Sequence, residues 1–342
     1  MNRNILFIVT CVLFYFSSTA QTNISPDHDT TFFRSYKGTI ITRIYFSKKY
    51  TDFKLNPPGD LPVMNYHANT TFNIGVGITY RSLSLSISRG LNFLKSEHAK
   101  GRTHILDLQS HLYKRKWTID AMAEFYKGYY LAPRGLGSPD GQSYNIRPDI
   151  GVKLIGASVC RVLNHRRFSY GAGLSQNAWQ RKSAGTFLIG AQSFYIDMHA
   201  DSAFAPRQAD SLYHDLNIHK VHLFQIGPGI GYAYTFVIKE HYFLLGSLNA
   251  NFNVRYSREI GNGINDDKIG FSPSFLSRLG TGYSESRWGI SFVWIGSWLH
   301  TNGKSTGYDY SISTGGFQLT FARRIAVSRE MRDVLEHRRQ IN

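Results

Sequence analysis

Strict alternation between bulky apolar residues and small or polar residues is the feature that most constrains how this sequence can fold. In the range 72–80 every second residue is bulky, and the residues between them are Asn, Gly, Gly and Thr. The ranges 82–88, 224–236 and 288–298 repeat the pattern with few exceptions. Because successive side chains of a β-strand point to opposite faces, a period of two predicts strands with one apolar face.

The size of the two alternating sets distinguishes between two kinds of β protein. Strand after strand, Gly, Ser or Thr residues alternate with Trp, Tyr, Phe or Leu residues. A soluble β-sandwich packs its large apolar side chains inward, whereas a barrel in lipid turns them outward and pairs all its backbone groups around the closed sheet. The sequence therefore predicts an all-β fold, namely a transmembrane antiparallel up-and-down β-barrel.

The connections between the predicted strands give the barrel an orientation. Short connections lie around Arg81 and at 114–116, 164–167, 239–241 and 284–287. Long polar connections lie at 47–71, 90–102, 131–148, 199–220, 256–268 and 301–307. Because short turns are typical of the periplasmic end and long loops of the extracellular end, we expect this arrangement here.

The number of predicted strands depends on the range 168–196. Short connections follow Val162 and again lie near Gln180, and strict up-and-down topology forbids two of them in succession. The conflict disappears if 168–196 makes one crossing and 176–185 is a bulge, a kink or an excursion. We therefore expect about twelve strands, with ten or fourteen as alternatives.

The N-terminus has the layout of a secretory signal peptide, with a basic Arg3, an apolar run from Ile5 to Phe16 and small residues up to Ala20. We expect this peptide to be cleaved and the protein to reach the outer membrane of a Gram-negative bacterium. The predicted divisions are the signal peptide 1–20, an N-terminal periplasmic segment 21–37, the barrel 38–326 and a periplasmic C-terminal tail 327–342 that is either frayed or helical.

Composition excludes other classes of protein and indicates partners. After the signal peptide no apolar stretch approaches the roughly 18 residues of a transmembrane helix, and the mean hydropathy is −0.26. The formal net charge is +16 and the basic residues are scattered, which favours contact with outer-membrane lipid and lipopolysaccharide over nucleic acid. The alternation of Phe317, Leu319 and Phe321 is similar to the terminal-strand signal of the barrel-assembly machinery; no soluble partner is identifiable.

Aromatic residues flank the short turns and predict a girdle at one membrane interface. Trp and Tyr favour this depth because one end of the ring is apolar and the other is polar. The predicted girdle residues are Tyr80, Tyr113, Trp117, Phe168, Tyr242, Tyr283 and Trp288.

Charged residues on the opposite faces of the strands predict a polar network that largely fills the lumen. Matching the inward faces on both sides of the turn 114–116 places His111 opposite Asp120, and Asp107 opposite Glu124. Facing carboxylates require nearby cations, and basic residues fall on other predicted inward faces. The predicted network consists of Arg43, Asp107, His111, Asp120, Glu124, Lys153, Arg255 and Arg278.

Several segments of the sequence resemble a known family. They are 45–51, 73–77, 106–109, 125–131, 179–185 and 231–235, and the most distinctive part is the stretch FYKGYYL at 125–131. Together they are similar to domain of unknown function 4421, a family of exported, uncharacterised Bacteroidetes proteins. The resemblance covers nearly the whole mature chain. It implies an outer-membrane location and assigns no catalytic residue.

Common catalytic motifs are missing from the sequence. It has no phosphate-binding loop, no Cys-x-x-Cys pair, no His-Glu-x-x-His and no nucleophile elbow, and we expect no metal and no cofactor. His111 and Asp120 are the candidate catalytic residues, because a carboxylate can orient an imidazole as a general base. No serine nucleophile is evident beside them.

Three functions are compatible with the sequence. The favoured one is an outer-membrane barrel for envelope structure, or a narrow small-solute pore with a largely filled lumen. One alternative is a membrane-embedded hydrolase that acts on lipid or lipopolysaccharide. The other is a surface adhesin or assembly partner that uses the long loops.

Overall fold

The computed structural model of the protein describes residues 28–36, 38–80, 83–91 and 98–326. The strands are β1 (Phe33–Ser35), β2 (Thr39–Asn56), β3 (Met64–His67), β4 (Asn73–Tyr80), β5 (Leu83–Gly90), β6 (His104–Tyr113), β7 (Trp117–Ala132), β8 (Asn145–Val162), β9 (Ala178–Gln180), β10 (Ala184–His199), β11 (Lys220–Ile238), β12 (Tyr242–Gly261), β13 (Ile264–Ser284), β14 (Trp288–Asn302) and β15 (Asp309–Ala326). The helices are α1 (Tyr170–Leu174), α2 (Ser211–Asp215) and one 3₁₀ turn (His98–Lys100). Within the described ranges, no helix is long and apolar enough to cross a membrane.

Ten of these strands form a closed antiparallel ring. Its order is β2, β3, β7, β8, β10, β11, β12, β13, β14 and β15, and β15 pairs with β2 from Asp309↔Asn56 to Ala326↔Thr39. These pairings close the ring, as a sheet in lipid requires, whereas β5 and β6 lie beside it and each has one edge with no pairing partner among the described residues. The predicted all-β barrel fold is therefore confirmed.

The remaining strands of the sheet raise the number of chain passages to the twelve that the sequence predicts. Both β3 and β4 pair with β2, at Phe53↔Tyr66 and Ser47↔Asn73, with registers that differ by one residue. They are thus two parts of one interrupted passage. The short strands β5 and β6 add two more passages, because β5 pairs with β4 and β6 pairs with β7.

The outer surface of the barrel carries the bulky half of the alternation. Phe224, Ile226 and Ile230 on β11 are 41, 50 and 61% exposed, whereas Gln225 between them is fully buried. The same inversion recurs on β12, β13 and β14. An apolar exterior of this extent suits contact with hydrocarbon, which explains why the small residues face inward.

The two ends of the barrel differ in the length of their connections. At the turn end the strands are joined by short turns such as 114–116, 239–241 and 285–287. At the opposite loop end, the predicted loop 256–268 is wrong, because β12 and β13 continue to a turn at Asn262 and Gly263. Near this turn polar residues lie on both faces of β12 and β13. The alternation of apolar and polar residues in the sequence therefore ends there, although the backbone pairing of the two strands continues. Gly263 supplies the positive φ of +67° at this two-residue turn, a backbone conformation that glycine adopts without steric cost.

The connections predicted at 47–71 and 131–148 are also shorter than predicted, since β2 extends to Asn56 and β7 to Ala132. The range 168–196 contributes one crossing, β10, preceded by an excursion at 163–183. Within this excursion α1 is buried and β9 pairs with β1. The predicted single crossing is therefore confirmed. The signal peptide 1–20 and the tail 327–342 lie outside the described residues.

Candidate functional site

The hairpin of β6 and β7 carries the charged residues that the sequence singles out. Its register places His111 opposite Asp120 and Asp107 opposite Glu124, as matching of the inward faces predicts. The opposite face of β6 exposes Leu106 and Leu108 on the outside of the barrel. Strand alternation therefore directs all four polar side chains toward the lumen.

An ion pair and a histidine form the centre of this network. Nδ1 of His111 lies 2.7 Å from Oδ1 of Asp120, and Nη2 of Arg278 donates to Oδ2 of the same carboxylate. Tyr170 from α1 lies under the guanidinium of Arg278, with its ring centre 5.6 Å away. The Tyr113 ring stacks between His111 and Tyr170. Two strands on opposite sides of the barrel and the inserted helix are thereby joined.

The two facing carboxylates are stabilised in different ways. Asp107 accepts from Lys49 Nζ at 2.6 Å and from the Tyr126 hydroxyl at 2.8 Å. Glu124 accepts hydrogen bonds from neutral groups on three strands, namely Thr51, Gln109 and Thr314. Sequence reasoning missed Lys49, because it lies in the predicted connection 47–71; β2 extends to Asn56, and Lys49 therefore shares its inward face with Arg43.

The other predicted network residues divide between the inside and the outside. Arg43 lies inside and donates to the Thr79 hydroxyl at 2.5 Å, and Arg255 is buried and donates to Asn302 at 2.6 Å. Lys153 is exposed on the outer face of β8, so its assignment to the lumen was wrong. Since its neighbours Val152 and Leu154 are the inward residues, the loop-end part of β8 inverts the usual pattern.

The predicted aromatic girdle divides in the same way. Trp117, Tyr242 and Trp288 are 41, 54 and 38% exposed on the outside at the turn end, and Tyr283 stacks on Trp288. The half-buried Tyr80 ends β4 beside a cavity. The assignment was wrong for two residues that turn inward, Tyr113 and Phe168.

Phe168 belongs to the excursion and not to a strand, so it packs against Tyr170 inside the barrel. Tyr113 shares the inward face of β6 with His111, and its hydroxyl lies 3.4 Å from Oδ1 of Asp120. Both residues had been predicted to lie at the membrane interface because they are close to a short turn in the sequence. The direction of the side chain was decided by the face of the strand and by the path of the excursion.

A second group of buried polar residues at the loop end was missed. Arg147 forms a bidentate pair with Asp149 and donates to the carbonyl oxygens of Ala203 and Phe204. It thereby fixes the segment 200–219 across the lumen. No sequence pattern indicates this, because the partners are separated by more than fifty residues.

The buried carboxylate of Glu259 was missed as well. It accepts from the hydroxyl groups of Thr306 and Tyr310, both at 2.6 Å, and from the backbone N–H of Lys304 and Ser305. β12 continues through Glu259 and turns its side chain inward, but this position lies in the predicted loop 256–268, so no strand face had been assigned to it. The carboxylate orders the connection 303–308 at the loop end.

A cavity of about 770 Å³ lies at the turn end, between α1 and the ends of β2, β4 and β6. Five of its lining residues are basic or carry an imidazole, and the described lining contains no carboxylate. These five are His28, Arg43, His111, Lys114 and Arg115. Burial, and after it the nearby Arg166 guanidinium, lowers the pKa of Arg115.

The chemistry available to His111 is limited by its partners. Its second ring nitrogen lies 3.4 Å from Oε1 of Gln109, and among the described residues no serine hydroxyl is hydrogen bonded to either nitrogen. Asp120 is shared with Arg278. The described residues also contain no group of three or more His, Cys, Asp or Glu side chains that could hold a metal ion. The arrangement therefore orients an imidazole without presenting a nucleophile to it.

Comparison with known families agrees with the segments noted in the sequence. The family described as domain of unknown function (DUF4421) matches residues 27–323, which includes nearly all of the barrel. The chain belongs to this family. The closed ring and the filled interior described above are those of this DUF4421 protein. A search of curated proteins finds no match.

Solved structures with a similar course of the chain are barrels of outer-membrane proteins. The outer membrane protease OmpT from Escherichia coli is 8% identical, with a TM-score of 0.39 and coverage of 90% of this chain and 100% of that one. The COG4313 outer membrane channel from Pseudomonas putida F1 is 8% identical, with a TM-score of 0.28 and coverage of 89 and 100%. Similarity at this level assigns no activity to the DUF4421 barrel.

Proposed function

We propose that this protein is an outer-membrane barrel with a closed interior, which serves the structure of the Gram-negative envelope and does not act as a solute pore. The observation that carries this proposal is that side chains and inserted segments occupy the lumen at both ends and in the middle.

At the loop end, the segment 200–219 folds into the barrel. Phe204 and Tyr213 are buried there among inward-facing strand residues, and the hydroxyl of Tyr66 donates to the Phe204 carbonyl. Tyr213 is joined to Tyr310 on β15 by a hydroxyl contact of 3.0 Å. This layer lies across the loop end of the lumen and supports the proposal of a closed interior.

In the middle, the Arg278–Asp120 pair spans the lumen with both side chains at most 1% exposed. At the turn end, the Tyr170 hydroxyl of α1 lies 2.6 Å from the Ser247 hydroxyl, and Leu174 packs with Leu245. Three successive layers therefore obstruct the axis. A ring of ten strands is near the size that side chains can fill.

The location in the outer membrane is supported by the exterior of the barrel. The band of exposed apolar side chains is bordered at the turn end by Trp117, Tyr242 and Trp288, the residue types that favour a membrane interface. The formal net charge of +16 suits contact with anionic lipid and lipopolysaccharide. Short turns then face the periplasm.

Conductance across planar bilayers tests this function. The purified barrel, with insertion verified by heat-dependent gel mobility, is expected to give no steady ohmic current. A variant with residues 201–216 replaced by a Gly-Ser linker keeps the middle and turn-end layers and is expected to stay closed as well. A steady current through the unaltered protein would refute the closed barrel and favour the narrow pore.

The hydrolase alternative is favoured less, because His111 has no nucleophile among its hydrogen-bond partners in the described residues. We expect His111→Ala to leave lipid A and phospholipid profiles of the host unchanged. A product that disappears in this variant and returns with the unaltered gene would restore the hydrolase.

A further inference from the structure

The outer face of the barrel becomes charged at the loop end, directly beyond the apolar band. A row of residues follows the register from strand to strand, so each member lies beside the next on β8, β10, β11, β12 and β13. The row consists, in order, of Lys153, Asp197, His222, Arg258 and Asp267. Because Ile196 and Met198 pack inside the barrel, Asp197 between them turns outward.

The adjacent row toward the turn end places this face at a membrane interface. This row consists, in order, of Ile155, Tyr195, Phe224, Tyr256 and Ile269. The side chains of Ile155, Phe224 and Ile269 are 50, 41 and 76% exposed. The Tyr195 hydroxyl lies 3.3 Å from Nδ1 of His222, and the Tyr256 hydroxyl donates to the next row at 2.8 Å. Since a tyrosine ring is apolar with one polar end, the two tyrosines indicate the depth at which hydrocarbon gives way to headgroups.

A second polar row lies one step closer to the loops and adds positive charge. It consists of His104, Lys127, Gly151, His199 and Lys220, on β6, β7, β8, β10 and β11. None of these residues is a carboxylate. The imidazole of His199 lies over Gly151, where a Cβ would be 2.5 Å from Nε2. We call the two polar rows together the basic face.

The two carboxylates of the basic face are already engaged by neighbouring side chains. One oxygen of Asp197 lies 2.9 Å from Nδ1 of His199, and the other lies 3.5 Å from Nδ1 of His222. The Asp267 carboxylate lies 3.4 Å from Nε of Arg258. The carboxylates are therefore not paired with the lysines of this face.

Three lysines of the basic face lack such partners. Within the part of the chain that the structure describes, the ammonium groups of Lys127, Lys153 and Lys220 form no hydrogen bond and no ion pair. Asp149, the next carboxylate along β8, forms a bidentate pair with Arg147 instead. The basic face thus carries positive charge that the described side chains do not neutralise.

The arrangement of these lysines indicates the chemistry of an occupant. Lys127 and Lys153 are diagonal neighbours on β7 and β8, a spacing of about 7–8 Å. From Lys127 to Lys220 the ring passes over four adjacent strands, which is roughly 15 Å. One phospholipid phosphate does not span this width, whereas a lipid headgroup with two separated phosphates does. Phosphate oxygens accept charge-assisted hydrogen bonds from ammonium groups, and acyl chains remain against the apolar row.

We propose that the basic face binds lipopolysaccharide, with the phosphate groups of lipid A on Lys127, Lys153 and Lys220 and the acyl chains along Ile155 and Phe224. The proposal rests on the proposed location in the outer membrane, in which the loop end meets the outer, lipopolysaccharide-containing leaflet. It assigns the contact with lipopolysaccharide to one side of the barrel, from β7 to β11.

Native mass spectrometry of the purified barrel in detergent tests the site. After incubation with lipid A that carries two phosphates, the unaltered protein is expected to retain one lipid. The variant Lys127→Ala/Lys153→Ala should lower retention about tenfold, because two ammonium groups near an anionic headgroup are lost. The control Lys114→Ala/Lys116→Ala removes the same charge from exposed positions of a turn at the other end and should retain the lipid.

Two further comparisons separate charge from the apolar contact. Lys127→Arg/Lys153→Arg should retain lipid A, because a guanidinium also binds phosphate. Lipid A without its phosphates should be retained about tenfold less by the unaltered protein, since it leaves the ammonium groups without an anion. Heat-dependent gel mobility establishes that each variant is folded.

Four results would overturn the proposal. They are no retained lipid A, equal retention in the two alanine variants, equal retention of lipid A without phosphates, and equal retention of dihexadecanoyl phosphatidylglycerol. The last would show a surface for any anionic lipid. The outcome is independent of the conductance test, because a conducting barrel that retains lipid A refutes the closed interior alone. A non-conducting barrel that retains none refutes the lipopolysaccharide site alone.

Discussion

Arg278 and Asp120 form an ion pair inside the barrel, with side chains 0 and 1% exposed. The carboxylate is shared with His111, and the guanidinium lies over the ring of Tyr170. Burying two opposite charges is favourable only when they form an ion pair and their remaining hydrogen-bonding groups also have partners. The pair therefore couples β7 to β13 through the lumen and depends on both partners.

Removing one partner of this pair is expected to be costly. Asp120→Asn or Arg278→Met should lower the free energy of unfolding by about 3–5 kcal/mol, because each leaves a buried charge without its partner. The double variant should lose less than the sum of the two single losses. Urea unfolding of the barrel in lipid vesicles measures these differences.

The exposed pair of Arg181 and Glu240 provides the control, since its side chains are 38 and 49% exposed. Arg181→Ala should cost about 0–1 kcal/mol, the range of surface ion pairs. Equal losses for Arg278→Met and Arg181→Ala would contradict the central role of the buried pair.

Arg147 is expected to control how firmly the segment 200–219 closes the loop end. Arg147→Ala removes hydrogen bonds to Ala203 and Phe204 at 2.8 and 3.2 Å, and the segment should become cleavable by protease in the folded barrel. Arg207→Ala breaks an exposed pair with Asp215 in the same segment and should leave cleavage unchanged. If both variants are equally resistant, Arg147 is not the anchor.

Two strand glycines are expected to respond oppositely to the addition of one methyl group. A Cβ at Gly190 would lie 2.1 Å from the Val159 carbonyl oxygen, so backbone must move, whereas a Cβ at Gly246 meets nothing closer than Leu279 at 3.9 Å. Gly190→Ala should destabilise the barrel by about 1–3 kcal/mol. Gly246→Ala should be neutral or stabilising by about 0.4–1 kcal/mol. The urea concentrations at half-unfolding, compared between variants with equal dependence of the unfolding free energy on urea, measure both effects. A Gly190→Ala variant as stable as the unaltered protein would contradict the close packing of Gly190 against the Val159 carbonyl.

Cys160 is expected to be shielded in the folded barrel. Its side chain is 1% exposed, and Nδ2 of Asn249 lies 3.0 Å from the sulfur. A maleimide should react with Cys160 only after unfolding, since an accessible thiolate is required. Ser86→Cys, on the exposed inner face of β5, should react in the folded state. Rapid labelling of Cys160, or none of the Ser86→Cys thiol, would contradict the described interior.

Much of the barrel wall could be predicted because strand direction and face are local properties. Alternation alone identified the outward residues of β11 and β14, and it placed His111 opposite Asp120 before any contact was known. Prediction from alternation failed where apolar and polar residues no longer alternate in the usual way along a strand. At Asn262 the ladder continues in water without an apolar face, and at Lys153 the loop-end half of a strand reverses the pattern.

The sequence by itself determined the class of fold, the faces of most strands and the pairing of the β6–β7 hairpin, since a period of two and a short turn act over neighbouring residues. Only the tertiary structure decided what fills the lumen. Phe168, Arg147 and Glu259 gain their roles from segments far away in the chain, and no local pattern records such contacts. The edges of β5 and β6 that have no pairing partner among the described residues are likewise decided by the tertiary structure, because the ring closes beside them through the contact of β3 with β7.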